Sequence, residues 1–151
     1  MIRPARPEEC DALTELAIRS KAHWGYDAPF LARCRDGELR VTPATLAPGL
    51  AFVLEAEGAP VGFYALDGGV PVADLAFLFV EPHALGRGVG ARLLAHAVEQ
   101  ARARGCEAIT IASDPFAEGF YLARGAVRVG EVESTVMPGR MLPTLRLAID
   151  G

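Results

Sequence analysis

The sequence lacks the features that mark several large classes of protein. Its 15 Lys and Arg residues are outnumbered by 19 Asp and Glu residues, giving a net charge of −4, so it has no basic excess for binding nucleic acid non-specifically. No apolar run approaches the ~20 residues that cross a bilayer, and the N-terminus lacks the apolar stretch of a signal peptide. These absences predict a protein that binds neither nucleic acid nor membrane.

Cysteine is also scarce, and the three cysteines, Cys10, Cys34 and Cys106, are widely spaced. An odd number of cysteines does not make a disulfide framework, and there is no CxxC pair of the kind that binds a metal. We therefore expect free thiols, a cytoplasmic location and no metal ion. The thiols and His96 are interpreted as structural residues.

The sequence does contain enough apolar material for a folded core. Hydrophobic residues make up 51% of the 151 residues and charged residues 23%, a balance typical of globular proteins. This length suits one domain with a sizeable core. We therefore predict a single domain over residues 1–151, without internal repeats.

Hydrophobic periodicity predicts the secondary structure. Short apolar runs predict strands at residues 2–5, 50–57, 60–67, 72–80, 107–112, 126–132 and 144–149. Helical patterns cover residues 7–21 and 30–35, a long stretch from Val89 to a stop at Gly105, and residues 115–124. The segment 137–143 is expected to be irregular.

The order of these elements is β-α-α-β-β-β-α-β-α-β-β. Three strands in close succession, joined by turns that contain Gly, predict an antiparallel meander. The strand at 107–112 follows a long helix, so we expect it to lie parallel to the strand at 72–80 through a right-handed crossover. The predicted fold class is α/β, with a central mixed sheet flanked by helices.

Residues 85–90, Leu-Gly-Arg-Gly-Val-Gly, separate a predicted strand from the long predicted helix. Closely spaced glycines let backbone N–H groups converge on an anion, and the helix dipole adds positive potential. The pattern predicts a phosphate cradle, although an ordinary strand-to-helix turn can use the same residues. The spacing Gly86-x-Gly88-x-x-Ala91, with Asp114 after the next strand, also fits a dinucleotide fingerprint, but the preceding meander argues against that fold.

Two longer motifs carry a family resemblance. Residues 85–90 fit the pattern Gln/Arg-x-x-Gly-x-Gly/Ala, with Leu85 in place of the polar residue, and Val80-Glu81-Pro82 fits the strand end before it. The pattern Asn-x-x-Ala-x-x-x-Tyr-x-x-x-Gly-Phe corresponds to Asp114, Ala117, Tyr121, Gly125 and Ala126. With these motifs, and in element order over nearly the whole chain, the sequence resembles the GNAT superfamily of N-acetyltransferases.

The resemblance implies an enzyme that moves the acetyl group from acetyl-CoA directly to a primary amine of a small molecule or a protein. In that family two parallel strands part, and the pantetheine arm of CoA lies between them. By resemblance, Tyr121 protonates the leaving thiolate and Asp74 takes the amine proton, directly or through water. The residues implied in CoA binding are Leu78, Phe79, Val80, Leu85, Gly86, Arg87, Gly88, Val89, Gly90 and Asp114.

Several of these residues also fit structural roles. Tyr121 could simply be an aromatic residue of a helix that packs into the core. Asp74 could be a turn residue or an acidic residue of a strand that faces solvent. The segment His23 to Tyr26, which includes Trp24, fits either an acceptor pocket or a staple between the first two helices. The loop Pro138-Gly139-Arg140 fits either the mouth of an acceptor site or a dimer contact.

The activity has alternatives as well. The departures at Leu85 and Asp114 are compatible with an acyl-CoA-binding module that has little or no catalysis. A nicotinamide-dinucleotide oxidoreductase is a third interpretation, which the predicted topology disfavours. Because GNAT members often form dimers, the resemblance also leaves a homodimer open.

Overall fold

The structure is a computed structural model that describes residues 1–150; residue 151, the last of the predicted domain range, lies outside the described residues. One seven-stranded sheet runs through the described chain. Its strands are β1 (Ile2–Pro4), β2 (Ala51–Ala56), β3 (Ala59–Gly68), β4 (Val72–Val80), β5 (Ala108–Ala112), β6 (Val127–Glu133) and β7 (Met141–Ala148). The helices are α1 (Cys10–Ala22), α2 (Ala28–Asp36), α3 (Pro43–Leu46), α4 (Val89–Ala103) and α5 (Glu118–Leu122), with 3-10 turns at Pro7–Glu9 and Pro82–Ala84. Within residues 1–150, every helix is too short or too polar to span a membrane.

The strands lie in the order β1-β2-β3-β4-β5-β7-β6. All neighbouring strands pair antiparallel except β4 and β5, which are parallel. The predicted meander is formed by β2, β3 and β4, and β5 joins β4 after α4, so the predicted α/β mixed sheet is confirmed. A single parallel pair is incompatible with the dinucleotide alternative, because that fold needs successive parallel βαβ units.

The sheet carries a hydrophobic core on each face. The core beneath α4 includes Ala73, Leu75, Leu93, Leu94 and Ile109. The core beneath α1 and α2 includes Leu13, Leu16, Phe30, Phe63 and Phe77. Because side chains alternate along a strand, Asp74, which lies between Ala73 and Leu75, points to the α1/α2 face.

A close contact between α4 and β3 positions the N-terminus of α4. Gly62 of β3 has no side chain, and a Cβ added there would lie 2.9 Å from methyl groups of both Val89 and Leu93. A larger residue would therefore push the helix away from the sheet. Since Val89 is the first residue of α4, Gly62 sets where this helix end meets the strands.

The prediction that residues 137–143 are irregular is wrong for residues 141–143. Met141, Leu142 and Pro143 open β7 and pair with Glu133, Val132 and Glu131. Pro143 cannot donate a backbone hydrogen bond, but its carbonyl accepts one from the Ser113 N–H at 2.9 Å. Pairing with the edge strand β6 therefore lets β7 begin at Met141, before Pro143.

Two helices also differ from prediction. The short α3 is not predicted, although Thr42 before it accepts a hydrogen bond from the Thr45 N–H and Pro43 occupies the first turn, both helix-start signals. The helix predicted at 115–124 is reduced to α5. It starts late because the Asp114 carboxylate accepts the Phe116 N–H at 2.9 Å, which forms a turn in place of the first helical residues.

The cysteines and His96 have structural surroundings, in agreement with their interpretation from the sequence. The cysteines are free thiols, and Cys34 and Cys106 are buried. His96 Nδ1 lies 2.7 Å from the hydroxyl of the buried Tyr64, and the Phe52 ring lies 4.7 Å away between centroids. Burial lowers the pKa of His96, so it packs as a neutral ring.

Candidate active site

The central feature of the sheet is a wedge between β4 and β5. The two strands pair only where Val72 faces Ala108, Ala73 faces Ile109 and Asp74 faces Thr110. Beyond this point β5 continues to pair with β7, while β4 stays with β3. The backbone of β4 from residue 75 onward is therefore left open on the side that faces β5.

A bulge in β4 accompanies the separation of the strands. Phe77 pairs with Ala65 and Leu75 pairs with Leu66, so Ala76 has no partner on β3. An extra residue of this kind bends a strand and increases its twist. The bulge therefore turns the second half of β4 away from β5 and helps to open the wedge.

The wedge opens into a cavity of about 650 Å³. Its walls combine the second half of β4, the loop before α4, the end of β5, α5 and the C-terminal end of α1. Every residue predicted for the site lines this cavity except Arg87. The Arg87 side chain is exposed, so its predicted contact with CoA stays a prediction.

The loop before α4 has the backbone geometry of an anion cradle. Gly86 and Gly88 have φ angles of +80° and +76°, and the space where each would carry a Cβ is empty. Across residues 1–150, the N–H groups of residues 86–88 find no backbone acceptor, and the first N–H groups of α4 have none within the helix. These donors, together with the helix dipole, can bind a phosphate.

Tyr121 lies on α5 at the wall of the cavity. The residue is only 6% exposed, yet its hydroxyl makes no hydrogen bond within the described chain and is not fully enclosed. Burial raises the pKa of Tyr121, and the nearby Asp114 charge raises it further. The residue is therefore a neutral phenol at neutral pH and has a proton to donate.

Asp74 stands where β4 and β5 part. The Thr110 hydroxyl donates a hydrogen bond to its carboxylate at 3.0 Å. Asp74 is an exposed residue, but the protein surrounding its carboxyl group raises its pKa; the bond from Thr110 opposes this rise, and the charge of Asp67 adds to it. A raised pKa makes a carboxylate a stronger base near neutral pH.

Asp114 is already bound by several protein groups. Lys21 Nζ lies 3.0 Å from its carboxylate, and the Tyr26 hydroxyl donates to it at 3.0 Å. Arg140 donates to the Tyr26 hydroxyl and lies 3.6 Å from Asp114. Burial alone would raise the pKa of Asp114, but Lys21, the Phe116 N–H and Tyr26 together lower it.

This network joins the end of α1, the loop after it, the end of β5 and the loop before β7. It consists of Lys21, Tyr26, Asp114 and Arg140 and is named the Asp114 network here. Lys21 is not among the predicted site residues, although it lies four residues after the buried Ala17 on α1 and is only 6% exposed. A lysine at a core-facing helix position is a sequence signal for a buried ion pair.

The segment from His23 to Tyr26 contacts both the cavity and α2. Trp24 lines the cavity and stacks on Phe116, with ring centroids 5.4 Å apart and planes 3° from parallel. Tyr26 instead packs against Phe30 of α2 at 4.7 Å. The loop that carries Arg140 reaches the same side of the site through the Asp114 network.

Known proteins share this sequence pattern and this fold. A family model described as the acetyltransferase (GNAT) family matches residues 11–126. No curated protein sequence matches the chain. Among solved structures, a GCN5-related N-acetyltransferase from Rhodopseudomonas palustris is similar at 25% identity and a TM-score of 0.80, with 98% of this chain and 94% of that chain covered.

Two further structures share the fold at lower identity. The PaiA N-acetyltransferase from Thermoplasma acidophilum, in complex with coenzyme A, is 16% identical with a TM-score of 0.77, and 98% of each chain is covered. A GNAT-like decarboxylase, GphF, in complex with isobutyryl-CoA is 24% identical with a TM-score of 0.76, covering 99% of this chain and 100% of that one. The family model spans most of the chain. The chain therefore belongs to the GNAT acetyltransferase family and is an enzyme of the acyltransferase class.

Proposed function

We propose that this enzyme transfers the acetyl group of acetyl-CoA directly to a primary amine. The observation that carries the proposal is the single cavity that unites an anion cradle, an open strand edge, a phenol and a carboxylate. The cradle at residues 86–90 binds the pyrophosphate, and the open edge of β4 at Leu78, Phe79 and Val80 pairs with the amides of the pantetheine arm. This places the thioester near the bulge, between Tyr121 and Asp74.

The proposed chemistry uses two proton losses at nitrogen and one proton gain at sulfur. Asp74, directly or through a water molecule, accepts a proton from the acceptor ammonium and so frees the nitrogen lone pair. The amine then attacks the thioester carbon, a C–N bond forms, and a tetrahedral intermediate results, whose positively charged nitrogen loses its excess proton to water. When it collapses, the C–S bond breaks, its electron pair goes to sulfur, and Tyr121 donates the proton that converts the thiolate into the thiol.

Replacing Gly88 with Val tests the phosphate cradle. The branched side chain occupies the space that the cradle needs, so we expect CoA affinity to fall by at least about tenfold, the loss of one or two hydrogen bonds to a charged group. Gly58→Val is the matched control, because Gly58 has a φ of +80° against +76° for Gly88 and equally open surroundings. Calorimetric titration with CoA measures both. If folded Gly88→Val binds CoA like the wild type, the phosphates bind elsewhere.

Asp74→Asn tests the base through the pH dependence of the rate. The raised pKa of Asp74 means that wild-type activity rises with pH as the carboxyl group loses its proton. We expect Asp74→Asn to be slow at neutral pH and to recover partly in alkali, where the free amine is more abundant. Thr110→Val removes a hydrogen bond that lowers this pKa. The pH range over which the activity of Thr110→Val rises should therefore lie higher than in the wild type. An Asp74→Asn profile that matches the wild type removes Asp74 from the mechanism.

Family membership favours an enzyme over an acyl-CoA-binding module without catalysis, and one assay distinguishes these two functions. Both functions predict acetyl-CoA binding, but only the enzyme releases free thiol in proportion to an added amine. Thiol release with a panel of amines, and with no amine as the blank, separates the two. Binding without amine-dependent thiol release would support the module.

A further inference from the structure

We propose that Glu38 binds a second positive charge on the acceptor, so that the preferred substrates are diamines and polyamines rather than simple monoamines. This inference rests on the proposed acetyl transfer to an amine and names the class of acceptor for it. Glu38 lies outside every motif that the sequence offers for the site. The structure places it on the wall of the same cavity as Asp74.

Glu38 is a partly exposed carboxylate that accepts one hydrogen bond from the protein. It follows α2 directly and is of intermediate exposure, on the face of the sheet to which Asp74 also points. The Thr135 hydroxyl, in the loop before β7, donates to its Oε2 at 3.0 Å. This bond orients one oxygen and leaves the other available to a ligand.

The cationic side chains that line the cavity, Lys21 and Arg124, are already engaged by other groups of the protein. Lys21 is paired with Asp114 at 3.0 Å. Arg124 donates to the Phe120 carbonyl at 2.9 Å and lies on the Phe120 ring. Within residues 1–150, neither Glu38 nor Asp74 has a Lys, Arg or His partner within salt-bridge distance.

The two carboxylates therefore have the same local arrangement, a threonine hydroxyl and no cation. In a partly enclosed cavity their charges are less screened than in water, so they favour a cationic ligand. Only one ammonium group can react at the thioester, and it must lose its proton to Asp74. A second ammonium that keeps its proton can stay bound to Glu38 throughout. The exposed face of Trp24 gives the aliphatic chain between the two groups an apolar wall.

The experiment is a calorimetric titration of CoA-saturated protein with putrescine and with butylamine, which share a four-carbon chain and differ in the second amine. We expect putrescine to bind at least about tenfold more tightly, as for a hydrogen bond to a charged group. Glu38→Gln keeps the size of the side chain and an acceptor for Thr135, and it should abolish this preference. Asp36→Asn removes an equal charge from an exposed residue two positions away and should preserve it.

Two results would overturn the inference: equal affinity of the wild type for both amines, or an unchanged preference in Glu38→Gln. Thiol release measured in parallel with acetyl-CoA reports on the proposed function separately. Putrescine binding that depends on Glu38 but yields no thiol contradicts acetyl transfer and leaves recognition by Glu38 intact. Thiol release from both amines with no effect of Glu38→Gln contradicts the role of Glu38 and leaves acetyl transfer intact.

Discussion

Replacing Tyr121 with Phe is expected to lower the turnover of acetyl transfer by about 10²–10⁴-fold, the usual contribution of a general acid, while CoA affinity stays nearly constant. The reason is that Phe keeps the buried ring and its packing and removes only the proton that would go to the sulfur. The thiolate must then leave unprotonated or take its proton from water. Steady-state rates with one good acceptor, together with a CoA titration, measure the two quantities.

Two further variants separate catalysis from packing. Tyr64→Phe removes a hydroxyl from another buried tyrosine, which is bonded to His96 and lies outside the cavity wall, so its turnover should match the wild type. Tyr121→Ala removes the ring as well and should be both slow and unstable. If Tyr121→Phe is nearly as active as the wild type and only Tyr121→Ala is impaired, Tyr121 is a packing residue and the acid lies elsewhere.

The parts of the site that could be predicted from the sequence are those encoded by short, local patterns. Gly86 and Gly88 stand two residues apart next to a helix start, and both adopt the positive φ that favours glycine. The strand at 72–80 is predicted with the bounds that it has in the structure. Asp74 and Tyr121 were placed by the family resemblance, and both line the cavity. In each case the information lies within a few residues.

The parts that could not be predicted depend on contacts between distant segments. Glu38 meets Thr135 across 97 positions, and Arg140 meets Tyr26 across 114. No periodicity connects such residues, because only the completed sheet brings their loops together. The bulge at Ala76 is also invisible in the apolar run that contains it, since a register shift depends on the partner strand β3. Loops on a shared face of the sheet therefore supply the proposed acceptor side, while local motifs supply the proposed phosphate cradle.

The Asp114 network is expected to contribute strongly to stability. Asp114→Asn keeps an acceptor for the Tyr26 hydroxyl and the Phe116 N–H but removes the anion beside Lys21, whose side chain is only 7% exposed. Leaving such a cation unpaired should lower the free energy of unfolding by about 3 kcal/mol. Lys21→Met should cost less, because Asp114 would retain Tyr26, the Phe116 N–H and Arg140. Urea unfolding at neutral pH measures both variants.

The double variant Lys21→Met/Asp114→Asn provides the control, since it removes the buried cation together with its partner. It should be more stable than Asp114→Asn alone, which simple loss of packing does not predict.

The pH dependence gives a second check, because the folded pKa of Asp114 is lowered. Its charge then stabilises the fold above the unfolded pKa of about 3.9, and this contribution is lost as the pH falls through the folded pKa. The difference between wild type and Asp114→Asn should therefore be constant near neutral pH and shrink in acid. A difference independent of pH, or a double variant as unstable as the two losses added together, would show that the charge pair does not stabilise the junction of α1 and β5.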